Sequence, residues 1–172
     1  MKKAASIFLR ADITPVDMEN MMNWMRDPRV TRYLNEDDRA AEQLAHLART
    51  VPAPLLTCQF NQRGRFFLVG REDASIGFVK LKQQEQGVWE IVFVIGDRAL
   101  WGNGYGSQAV RMAQARVFLE WRARKLTAKI YHGNSRSVAT VRGCGFREER
   151  HLEKLSCYSI TKDEYFAPMG FG

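Results

Sequence analysis

A near-continuous apolar run at residues 88–95 (Val88-Trp89-Glu90-Ile91-Val92-Phe93-Val94-Ile95) predicts a central strand. Around it the chain switches between two periods. Residues 6–12 set Ile7 and Leu9 against Phe8 and Arg10, the alternation of a half-buried strand. Thr14-Pro15-Val16-Asp17 reads as a helix start. The threonine can cap, proline suits the first helical position, and the acid sits at the positive end of the dipole. Met18, Met21, Met22, Trp24 and Met25 then recur at helical spacing and predict a core face. Asp27-Pro28 ends this helix. A short helix over 28–33, a longer one over 37–50 with Leu44 and Leu47 inward, and a connection at 51–54 follow. Strands over 65–71 and 75–81 flank a polar turn at 72–74, and a second turn covers 83–87. Residues 105–121 predict the longest helix, with Ala109, Val110, Ala113, Val117 and Trp121 on one face. A strand at 126–131, a helix at 134–144 ended by Gly145, and closing strands at 146–151 and 154–161 complete the order. Such mixed order fits an α+β sheet with helices on its faces.

The chain has 172 residues, a length that fits one domain able to bury its own core without a metal or disulfide staple. No stretch approaches about 20 continuous apolar residues, so no membrane span is expected. Met1-Lys2-Lys3 carries charge with no long apolar segment behind it and is not expected to open a signal peptide. Cys58, Cys144 and Cys157 are odd in number and lack metal-ligand spacing. They predict reduced thiols in a cytoplasm and no metal. The net charge of +7 admits a solvated basic surface, a nucleic-acid partner or a polyanionic small ligand. The positive residues are spread along the chain, which argues against nucleic acid.

The informative segment is Trp101-Gly102-Asn103-Gly104-Tyr105-Gly106-Ser107-Gln108, between the strongest strand and the longest helix. Glycines let a backbone approach a ligand, and a helix start offers unpaired N–H groups and a positive dipole end. Together these make an anion site suited to a pyrophosphate. A P-loop would need a Gly-Lys-Ser/Thr ending, which is absent. A dinucleotide fingerprint would need a glycine, or at least a small residue, where Ser107 stands; it would also need an early place at a βαβ start, and its acid about 20 positions on, near Glu120, falls inside the helix. A coenzyme A pyrophosphate loop and a tight turn without ligand remain.

A second segment, Asn134-Ser135-Arg136-Ser137-Val138-Ala139-Thr140-Val141-Arg142-Gly143-Cys144-Gly145-Phe146, follows one strand after that helix. Together the two resemble the signatures of the GNAT superfamily of N-acetyltransferases: a Gly-x-Gly-x-Gly/Ala loop before a long helix, then Asn-x-x-Ser/Ala, a short helix and Gly-Phe. The opening strand, the helix from Thr14 and Trp24-Met25-Arg26-Asp27-Pro28-Arg29-Val30 look like the ribosomal-protein N-terminal (alanine) acetyltransferase branch. The resemblance implies a single GNAT domain over 1–172, with a central mixed, mainly antiparallel twisted sheet flanked by helices on both faces. It implies acetyl-CoA as co-substrate, its pyrophosphate on the amides of 103–108. Main-chain groups of Phe93, Val94 and Ile95 would pair with the pantetheine arm, with Asn134 and Ser137 near the arm and the sulfur. Trp101 and Gly102 belong to the same cofactor-binding set, and Arg98, Arg111, Arg136 and Arg142 are candidates for phosphate contacts.

Aminolysis of a thioester needs a neutral amine, a donor for the developing oxyanion and a route out for the thiolate. An α-amino group near pKa 7.7–8.0 is already partly neutral, whereas a lysine-like amine must give up about 4 kcal/mol to lose its proton at pH 7. A carboxylate set in an apolar wall makes a better base near neutrality. Glu90 is the one acid in its run and shares a strand face with Val88, Val92 and Val94. It is either the base or a charge paired at the surface. The N–H of Val94 is a candidate oxyanion donor. Ser137 is either a donor to the sulfur or a helix-start residue, with Ser156 and Tyr158 as weaker alternatives. Many family members have a tyrosine where Val141 stands, and valine cannot donate a proton. His46, His132 and His151 show no partner pattern. The acceptor is expected to be a primary amine, a protein N-terminus by the branch resemblance, with polyamines, amino acids and aminoglycosides open. A module that binds coenzyme A without turnover is a further alternative, and a monomer or homodimer is expected.

Overall fold

The computed structural model describes residues 5–34 and 39–170. The expected helix start at Asp37 lies outside them. Seven strands form one sheet in the order β1-β2-β3-β4-β5-β7-β6. They are β1 (Phe8–Arg10), β2 (Arg65–Arg71), β3 (Ala74–Glu85), β4 (Val88–Ile95), β5 (Lys125–Tyr131), β6 (Arg147–His151) and β7 (Leu155–Thr161). All neighbours pair antiparallel except β4 and β5.

Helices cover both faces. On one side lie α1 (Pro15–Arg26), α2 (Pro28–Thr31), α3 (Ala40–Thr50) and α4 (Leu56–Phe60). Met18, Met21 and Trp24 pack there with Leu56, Phe66, Phe78 and Val94, and Leu44 and Leu47 lean on them from α3. The other side carries α5 (Tyr105–Ala115) and α6 (Ser135–Gly143). Ala109, Val110, Ala113, Val117 and Val141 pack there on Val79, Ile91, Leu126 and Tyr158. A last helix, α7 (Lys162–Phe166), follows β7. Thr14 caps α1 in a reciprocal box with Asp17. The Asp17 carboxylate is buried and bonded to Arg10 at 2.7 and 3.0 Å. Burial pushes its pKa up, but the hydrogen bonds from Arg10 and Thr14 outweigh that and hold it below the usual carboxylate range.

Several boundaries differ from expectation for local reasons. The strand expected over 6–12 pairs only over Phe8–Arg10, since Ile13 already turns to bond its N–H to Thr57 Oγ1. β3 runs on to Glu85 rather than stopping at 81, with a bulge between Gln83 and Glu85. Its polar end pairs with β4 through the backbone and needs no burial. The helix expected to 121 changes hydrogen-bonding period, with Arg116–Glu120 forming a π-turn that delivers Trp121 onto Trp89 at 4.7 Å between centroids. A 3-10 turn occupies Ala53–Leu55 at the connection expected over 51–54, and α4 follows it where no element was expected.

Candidate active site

Among the described residues, the only parallel pair is where the sheet opens. β4 and β5 are in register for three pairs, Val88↔Lys125, Trp89↔Leu126 and Glu90↔Thr127. β4 nevertheless continues to Ile95 and β5 to Tyr131. Residues 91–95 therefore have β3 on one side and, among the described residues, no strand on the other. The open stretch is about 16 Å long at 3.3 Å per residue. Its vertex is Glu90, whose carboxylate meets Lys129 Nζ of β5 at 3.0 Å, with the Glu90 side chain 18% exposed.

The wide end of the gap leads to the glycine-rich loop. Gly102 and Gly104 hold φ of +78° and +79°, a left-handed conformation that L side chains adopt only at a cost. Gly104 is the N-cap of α5, and no side chain caps that end. The first amides of an eleven-residue helix are thus left to point outward with the positive end of its dipole. Trp101 anchors the loop by donating its indole N–H to Ile95 O at 2.7 Å, and the Arg136 guanidinium lies 3.5 Å above its ring. Asn103 ties the turn to Leu100 O and Trp101 O.

A cavity of about 340 Å³ joins these parts, lined by Phe93, Val94 and Ile95, by the loop, and by Asn134, Arg136 and Ser137 of α6. Its far wall is α2 and the turn after it, with Arg29, Val30, Tyr33 and Leu34. Tyr33 packs so closely on Gly133 that a Cβ there would lie 2.9 Å from its hydroxyl. The Asn134 side chain accepts from Ser137 N and caps α6, while the Ser137 side chain faces the cavity with no hydrogen bond of its own among the described residues.

The structure thus brings together Phe93, Val94, Ile95, Trp101, Gly102, Gly104, Tyr105, Gly106, Ser107, Asn134 and Ser137. Asn103 and Gln108 do not line the cavity. Glu90 does not line it either, but stands at the closed end of the same gap. Of the four arginines proposed for phosphates, only Arg136 faces the cavity. Arg98 is held by Asp27 at 2.6 Å, Arg111 by Gly143 O, and Arg142 lies near Glu148 at 3.5 Å. Val141 is fully buried in the core, so the tyrosine absent from that position has no counterpart there. Ser156 and Tyr158 point elsewhere: Ser156 Oγ bonds Glu148 at 2.5 Å, and Tyr158 lies under Arg142. His132 and His151, which show no partner pattern in the sequence, stack on each other at 4.3 Å. Tyr33 falls in the segment 24–34 expected to contribute to the acceptor pocket, whereas sequence reasoning missed Thr140 as a cavity hydroxyl. The only available signal for Thr140 was its place in the motif over 134–146.

Among the described residues, no group of three or more His, Cys, Asp or Glu is placed to hold a metal ion, and no helix is long and apolar enough to cross a membrane. A mixed sheet parted beside an uncapped, glycine-led helix fits the acyltransferase class. Residues 7–147 match the model of the acetyltransferase (GNAT) domain. The chain belongs to the GNAT acetyltransferase family, and is an acetyl-CoA-dependent N-acetyltransferase. A relative described as an uncharacterised N-acetyltransferase p20, from Bacillus licheniformis, is 25% identical, over 87% of this chain and 89% of the relative. Two solved structures share the fold. One is spermidine N-acetyltransferase from Vibrio cholerae in complex with CoA and spermine, at TM-score 0.77 and 19% identity over 93% of this chain and 98% of that one. The other is aminoglycoside acetyltransferase AAC(6')-Ib in complex with coenzyme A, at TM-score 0.75 and 14% identity over 96% of this chain and 99% of that one.

Proposed function

We propose that the chain acetylates a primary amine by direct attack, with Glu90 as general base and Ser137 as donor to the departing sulfur. The observation that carries this reading is the gap between β4 and β5, which opens at Glu90 and ends at the uncapped start of α5. The residues present fit acetyl-CoA. The amides of Tyr105, Gly106 and Ser107 hold the pyrophosphate, Arg136 adds positive charge beside it, and the free edge of Phe93, Val94 and Ile95 receives the pantetheine arm like an added strand. Bound this way, the co-substrate supplies an activated thioester near the vertex. Glu90, directly or through one water, takes the proton from the attacking nitrogen. A main-chain N–H of the open strand, Val94 first, donates to the developing oxyanion. Ser137 donates to the thiolate, the role that a valine at 141 cannot fill.

The acceptor reading is the α-amino group of a protein N-terminus, supported by the likeness of Trp24–Val30 to the ribosomal-protein branch and by the mild basicity of that amine. The fold likeness to spermidine and aminoglycoside acetyltransferases favours a small-molecule acceptor as the second reading. Glu90→Gln tests the mechanism. It is expected to cut kcat by about 10²–10⁴-fold while calorimetry shows acetyl-CoA binding intact. Unchanged kcat in that variant refutes the assignment of the base.

A further inference from the structure

The charges around the vertex bear on which amine the site accepts. Residues paired across neighbouring strands share a sheet face, so Lys82, in register with Glu90, projects on the same side. Lys129 bonds the Glu90 carboxylate from the other strand at 3.0 Å. Further along this face Lys125 bonds Glu149 at 2.5 Å, and Arg150 is in register with Cys157, itself opposite Lys129. Among the described residues the carboxylates of this face are thus already matched by cations, Glu90 by Lys129, Glu149 by Lys125, and Glu85 by Arg124 at 2.6 Å. Lys82 and Arg150 make no salt bridge among the described residues. The acidic run Glu36–Asp38 lies outside the described residues.

A polycation that brought one nitrogen to Glu90 would set its remaining charges against this surplus. An amine that also carries a carboxylate would meet two ammonium groups. The same cations disfavour a protonated amine beside them and so raise the neutral, nucleophilic fraction. We propose that the acceptor is an acidic amine, a primary amine bearing a carboxylate, which Lys82 and Lys129 hold while its nitrogen faces Glu90. The inference rests on the reading of Glu90 as base and names the acceptor class for that site. A free amino acid and the acidic start of a peptide offer the same chemistry.

The test compares kcat/KM at saturating acetyl-CoA for glutamate, a dipeptide with an acidic second residue, the carboxamide counterpart of each, and spermidine. The acidic acceptors are expected to exceed their carboxamides by about tenfold, the worth of one partly exposed charge-assisted hydrogen bond, and spermidine by more. Preference between glutamate and the dipeptide tells a metabolite from a peptide end. In the K82Q/K129Q double variant the acid-to-amide ratio is expected to fall towards one, chiefly through KM. Because the ratio compares two acceptors on one variant, any change in the strength of Glu90 cancels. Both lysine side chains are solvent-exposed, and an unchanged melting temperature will show that folding is intact. Equal rates on acid and amide, a preference for spermidine, or a ratio unmoved in the double variant overturns the inference. So does a protein that binds acetyl-CoA but acetylates none of these amines. Absence of acetyl-CoA binding, or full activity of E90Q, instead strikes the catalytic reading beneath it.

Discussion

Gly104 separates the needs of folding from those of the ligand. Its φ of +79° costs an L-residue about 1–2 kcal/mol, and a Cβ built there meets no protein atom within 4 Å. Gly104→Ala is therefore expected to lose stability through its backbone alone. At about 2–4 °C per kcal/mol for a domain of this size, its melting temperature falls by about 2–8 °C. Asparagine tolerates the left-handed region better than alanine, so Gly104→Asn is expected to melt close to the wild type. Both side chains enter the space proposed for the pyrophosphate, and both are expected to weaken acetyl-CoA binding at least tenfold, or about 1.4 kcal/mol. Gly143→Ala is the control. Gly143 ends α6, also in open space and without a positive φ, so alanine there is expected to stabilise by about 0.4–1 kcal/mol and leave binding unchanged. Calorimetry with acetyl-CoA and thermal melts of the three variants suffice. If Gly104→Asn binds acetyl-CoA as tightly as the wild type, the close-approach argument fails, whatever its stability.

Trp101→Phe removes the indole donor from Ile95 O; it is expected to lower stability by about 1 kcal/mol and raise the acetyl-CoA Kd severalfold, as titration will show. Asp17→Asn breaks a hydrogen-bonded pair between a buried carboxylate and the partly exposed Arg10 and is expected to destabilise by about 1–3 kcal/mol at pH 7. Because the Asp17 pKa is depressed in the folded chain, its contribution is present above the unfolded value near 3.9 and is lost as pH falls through the folded value. Urea melts across that range should show wild type and variant converging in acid. Burial raises the Cys144 thiol pKa, whereas Cys58 is exposed; alkylation of the native protein is expected to label Cys58 first, as peptide mass mapping will show.

Much of this site is written in short-range pattern. Glycines at 102 and 104 before an amphipathic helix are a local signal that admits an anion site, and the Asn134 cap is equally local. Thr161 and Glu164 form a capping box at the start of α7, a four-residue signal that was open to inspection and passed over. Other features depend on register, which no local pattern encodes. That Lys129 meets Glu90 follows from where β5 pairs with β4. Which of several arginines reaches the cavity depends on partners distant in sequence, as with Arg98 and Asp27. The π-turn at Arg116–Glu120 was hidden because its apolar positions satisfy an α-helical period almost equally well.

Opening a sheet at its middle joins the integrity of the protein to metabolic supply. If acetyl-CoA fills the vacant rung, a concentration one hundred times its Kd adds about 2.7 kcal/mol to the folded form, equivalent to about 5–11 °C of melting temperature. A cell short of acetyl donors would then hold a looser enzyme, more open to proteases, and its amount would track the fuel it consumes.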